Sequence, residues 1–103
     1  MMHVDEELIE IVARAAATKL TPEEAHAVGV SLVIRFGKGC EEARTYARQV
    51  NATREKLGLP KITQAVAGNP SSEEKRDLFR SAIEKLDDPA IAVLAYLTDS
   101  KIP

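Results

Sequence analysis

The side chains able to hold a metal or attack a substrate are few in this chain and far apart. They are His3, His26 and Cys40, and none has a second ligand at motif spacing. A structural zinc site draws on four such ligands in close pairs, so no metal centre is expected and no cofactor either. Glu23 and Glu24 lie near His26, but adjacent acids in a first helical turn serve the helix N-terminus. Cys40 follows Gly37-Lys38-Gly39 at a helix start, where the dipole and a lysine would lower a thiol pKa. The same cysteine also continues an apolar series with Ala43 and Ala47, and a small buried hydrophobe is the reading adopted. The Gly-Lys-Gly turn gathers N–H groups and a cation as an anion-binding nest does. It lacks the spacing and the preceding strand of a phosphate-binding loop. The remaining paired carboxylates stand at helix starts or ends, where capping accounts for them, so the chain reads as a non-enzyme.

Charge is distributed more unevenly than chemistry. Residues 1–34 hold six acids and two bases, residues 35–61 seven bases and three acids, and residues 62–103 seven acids and five bases. Arg44 and Arg48, one turn apart, form with Arg54 and Lys56 a basic patch suited to phosphates or an acidic partner. The competing account is a solvated helix face balanced by the acidic first helix of the same molecule. A helix-turn-helix is excluded. Placing Ala25 and Gly29 at its landmark positions puts Arg35 where a buried aliphatic belongs and drops the turn into residues 30–34. Aromatic residues are 4% of the chain with no Trp, which leaves little for stacking single-stranded bases.

Five segments must position these groups. Over 5–19, Leu8, Ile9, Val12, Ala15, Ala16 and Leu20 make one apolar stripe at helical spacing, with Glu10 and Arg14 opposite. Thr21-Pro22-Glu23-Glu24 is a capping box with proline at the first helical position, opening a helix over 22–36. Val28, Val30, Leu32, Ile34 and Phe36 also alternate as a strand would. A lone strand needs a partner, and no second one is found, so helix is preferred. Residues 27–34 are then apolar on nearly every side, which suits the centre of a bundle or a place between two subunits. A third helix over 40–57 would turn Cys40, Ala43, Ala47, Val50 and Leu57 inward, keep Tyr46 at the edge and stop at Gly58. A short turn is expected around 62–66. Ser71, with Glu74 three residues on, opens a fourth helix whose Leu78, Phe79, Ala82, Ile83 and Leu86 face the core. Asp88-Pro89 caps a last helix over 89–99.

With 103 residues, 45% apolar and 29% charged, the chain has room for one globular domain over 1–103. The fold expected is all-α, a compact bundle of four main helices with room for a short fifth. One cysteine, an acidic opening and no apolar run approaching about 20 residues point to the cytoplasm rather than a membrane. Segments 27–34 and 90–97 have more apolar circumference than a small monomer covers easily. The expected function is therefore a small non-catalytic protein-binding or regulatory module, of inhibitor, immunity or adaptor type, acting as a homodimer. Its contacts would be Val30, Val33, Ile34, Val93, Tyr96 and Leu97. The alternative is a nucleic-acid-binding regulator using Arg44, Arg48, Arg54 and Lys56.

Overall fold

Two capping boxes and one glycine stop set three of the helix ends in a computed structural model, which describes residues 6–63 and 70–98. The helices are α1 (Glu6–Lys19), α2 (Pro22–Phe36), α3 (Glu41–Lys56), α4 (Ser72–Lys85) and α5 (Asp88–Thr98), with no strand among the described residues. At the start of α2 the Thr21 hydroxyl accepts from the Glu24 N–H at 3.2 Å, and the Glu24 carboxylate accepts from the Thr21 N–H at 2.9 Å. Ser71 and Glu74 repeat the device at α4. These reciprocal bonds satisfy donors that a helix start otherwise leaves unpaired, at roughly 1 kcal/mol each. The local signal therefore outweighs the strand-like alternation over 28–36, which finds no ladder to join.

α3 ends where Gly58, at φ 75°, takes the left-handed conformation. Its N–H reaches the Glu55 carbonyl at 3.1 Å, and the Leu59 N–H reaches that of Arg54 at 2.8 Å, the paired bonds of a Schellman stop. The cap of α5 is one residue earlier than the sequence suggests. The Asp87 carboxylate accepts from the Ala90 N–H at 3.2 Å, and Asp88 is already helical. The turn expected around 62–66 falls mostly outside the described residues.

α1 packs chiefly against α3 and α5, and α2 against α4 and α3. Ile9, Val12, Val28, Leu32 and Leu94 are the largest fully buried side chains. Each contributes about 1.5–3 kcal/mol by leaving water. Ala13, Ala16, Ala17, Ala25, Ala82 and Ala90 complete the same cluster, letting helix backbones approach closely, so few aromatic side chains are needed to fill it. The radius of gyration is 12.4 Å, close to the roughly 13 Å of a compact chain this long. No helix among the described residues is long and apolar enough to cross a membrane.

The inward face of α3 is rotated from the expected one. Thr45, Tyr46, Val50 and Arg54 are buried, Cys40 and Ala43 half-buried, and Ala47 and Leu57 exposed. Tyr46 turns its ring onto α2 at Gly29, where even an added Cβ would stand in ordinary contact at 3.4 Å. The phenol then donates to the Ala25 carbonyl at 2.7 Å, and burial pushes its pKa up. Leu57 falls at the helix end, beyond the reach of the core. Tyr46→Phe should keep the ring's packing, lose one buried hydrogen bond and cost about 1 kcal/mol. Urea unfolding checks this, and a variant as stable as the parent would deny the bond any net contribution.

Candidate functional site: an apolar groove between α2 and α3

The turn over 37–40, closed by the Cys40 N–H on the Gly37 carbonyl at 3.2 Å, reverses the chain and lays α3 antiparallel beside α2. Between them runs a groove of about 230 Å³. His26, Gly29, Val30 and Val33 form one wall, Ala43, Ala47 and Val50 the other, and Tyr46 the floor. Because Gly29, Ala43 and Ala47 are small, the two helices leave a trough where larger side chains would have met. Asn51 shapes its end. The carboxamide accepts from the Ile62 N–H at 2.7 Å and donates to the Ile62 carbonyl at 3.2 Å, clamping Ile62 and Thr63 against α3. Among the described residues, His26 is the only histidine, carboxylate or lysine of the lining, and what they present is mainly hydrocarbon.

The six residues expected to form a contact surface divide among three places. Val30 and Val33 stand half-buried in the groove wall, and Ile34 projects beside them at 81% exposure. Val93 is half-buried and packs against the core. Tyr96 lies on the outer side of α5 at 71% exposure, and α5 contributes nothing to the groove. Leu97 is only 3% exposed. With Ala90 and Leu94 it makes the inward stripe of α5, at seven- and three-residue spacing, so Leu97 belongs to the core and is withdrawn from the surface.

The four basic residues do not form one patch. Arg44 and Arg48 are exposed and share Glu41, at 3.1 and 3.4 Å, and Arg48 also donates to the Thr45 hydroxyl at 3.1 Å. Lys56 is exposed. Arg54 is 8% exposed, its Nε donating to the Pro60 carbonyl at 2.7 Å and its Nη1 to the Ala17 carbonyl at 3.4 Å. The Ala17 carbonyl lies in the last turn of α1, where carbonyls lack helical partners and cations are favoured. Arg54 is thus a cap for α1 supplied by α3, which removes it from any surface that phosphates could reach. Its place four residues after Val50 and eight after Tyr46, on the core stripe, is the signal in the sequence that marks it as buried.

A second cluster was not foreseen. Glu24, 3% exposed, accepts from Lys85 Nζ at 2.8 Å, from the Ser81 hydroxyl and from the Thr21 N–H. Burial alone would raise its carboxyl pKa. The donors from Lys85, Ser81 and Thr21 outweigh that and hold the group at about 2. A carboxylate so stabilised, with its lone pairs occupied, is a poor general base. The arrangement instead staples the start of α2 to α4. At the surface, Asp87 is held below the usual carboxylate range by the Lys19 ammonium at 3.1 Å and then by the Ala90 N–H. Cys40 is half-buried, with its thiol 3.8 Å from the Leu32 carbonyl. Among the described residues no three His, Cys, Asp or Glu side chains gather where they could hold a metal ion. Comparisons with protein-family models, with curated proteins and with solved structures each give no match for this chain.

Proposed function

We propose that this chain is a small non-catalytic protein-binding module of the inhibitor, immunity or adaptor kind, a helical bundle acting as a homodimer. One observation carries the reading: the outer side of α2 is apolar and only partly covered. Val30 and Val33 are half-buried, Ile34 is 81% exposed, and the trough beside them is lined mostly by hydrocarbon. The inner side of the same helix is already used, packing against α3 and α4. Covering an exposed isoleucine is worth about 1.5–3 kcal/mol, and contiguous apolar patches on monomers commonly mark interaction sites. The buried ionic cluster supports a non-catalytic reading, since Glu24, Ser81 and Lys85 are engaged with one another. The nucleic-acid alternative is weaker for want of Arg54 and for the pairing of Arg44 and Arg48 with Glu41. Sedimentation velocity at micromolar concentration is the test. The expected species has twice the 11.2 kDa chain mass, and a single 11.2 kDa species would overturn the homodimer.

A further inference from the structure

We propose that α4 is a detachable strap, which leaves α2 and unwinds while α1, α2, α3 and α5 stay packed together. Among the described residues, α2 is the only helix against which α4 packs to any extent. The other four do not depend on it. α1 packs on α3, α5 and α2, and α2 packs on α3 and α5 as well, so each keeps at least two neighbours when α4 is gone.

The packing beneath the strap is thin. Only Ala82 of α4 is fully buried, whereas α1, also 14 residues long, buries six. Leu78, Phe79 and Ile83 are half-buried, and Ser81 and Lys85 tie the helix to Glu24. Leu86 follows in extended conformation, is 5% exposed and belongs to the core. It stands between α4 and α5, so the strap leaves without drawing α5 after it. A segment opens locally in proportion to how little burial holds it, and α4 is the helix held by least. Fourteen residues make a marginal helix alone in water, so a released α4 loses its backbone hydrogen bonds as well. The flank of α2 that it bares carries Ala27, Val28 and Ser31, which follow Glu24 at three, four and seven residues. Opening therefore enlarges the apolar surface that Val30 and Ile34 already present. The inference stands apart from the homodimer, because the helices compared belong to one chain.

Native-state hydrogen exchange on the full chain, read residue by residue in low urea, is the test. The N–H groups of residues 76–85 should exchange faster than those of Val12, Ala16 and Leu94. Their rates should also rise less steeply with urea, since releasing α4 exposes only part of the surface that global unfolding exposes. Arg54→Ala weakens the fold through bonds to Ala17 and Pro60, remote from α4. It should speed exchange at Val12, Ala16 and Leu94 about 100-fold and leave residues 76–85 at the parent rate, because the opened state keeps the α1–α3 contact. One common rate and urea slope for α4 and the core would mean that α4 leaves only when the whole fold does, and the strap is overturned. An equal acceleration of both by Arg54→Ala would overturn it too.

Discussion

Replacing Arg54 with alanine is expected to remove about 3 kcal/mol of folding stability and to lower the thermal midpoint by about 15 °C. Two carbonyls depend on this guanidinium: that of Ala17 in the last turn of α1 and that of Pro60 in the segment after α3. Truncation leaves the buried Ala17 carbonyl without this donor, at about 1–3 kcal/mol where water cannot enter, frees the part-buried Pro60 carbonyl to water, and opens a void where the side chain lay. Arg54→Lys should recover only part of the loss, since one ammonium cannot serve two diverging acceptors as a guanidinium does. Melting followed by circular dichroism measures both variants. An alanine variant within about 0.5 kcal/mol of the parent would show that water replaces the guanidinium at no cost.

Glu24→Gln should have a comparable effect and also reshape the acid stability of the protein. Its carboxyl sits at about 2 in the folded chain against an ordinary 4.5. A depressed pKa means that the unfolded chain binds the proton first. The stabilisation is therefore fully present above about pH 5 and is lost as pH falls through the folded value. A difference of this size corresponds to about 3 kcal/mol. Urea midpoints at pH 7, 5 and 3 should fall steeply for the parent between the last two, and much less for Glu24→Gln, which is already weakened at pH 7. Lys85 is half-exposed and can rehydrate when its partner is gone, which keeps the penalty below that of a fully buried orphan charge. Parallel pH profiles for the two proteins would mean that Glu24 titrates normally. Adding Lys85→Met in a double-mutant cycle separates the ion pair from the capping bonds to Thr21.

These two residues show why much of the site could not be read in advance. Glu24 was legible as the third residue of a capping box, and that role is present. Its second role depends on Ser81 and Lys85, 57 and 61 residues away, and no local spacing encodes the meeting. Arg54 was placed with Arg44, Arg48 and Lys56 because charge usually marks a solvated face. The orphan carbonyl of Ala17 that draws it inward exists only once α1 and α3 are packed. Tyr46 reads as an edge residue from α3 alone, because its packing against Gly29 and its bond to the Ala25 carbonyl belong to two helices, not to one.

What the chain's order of residues determined by itself is the set of helices. Thr21-Pro22-Glu23-Glu24, Ser71 with Glu74, and Gly58 act on hydrogen bonds within a turn of themselves, so their effect is readable from neighbours alone. The burial of Ile9 and Val12 likewise follows from spacing along a single helix, whereas residues 27–34 are apolar on nearly every side and spacing alone does not select Val28 and Leu32 for the core. Tertiary structure decided which way each helix faces and what stands between them: the inward turn of Leu97, the buried guanidinium of Arg54, the staple at Glu24, and the trough left where Gly29, Ala43 and Ala47 are too small to close the gap. Those features depend on distances between segments remote in sequence, and such distances are set only when all the apolar faces compete for the same core.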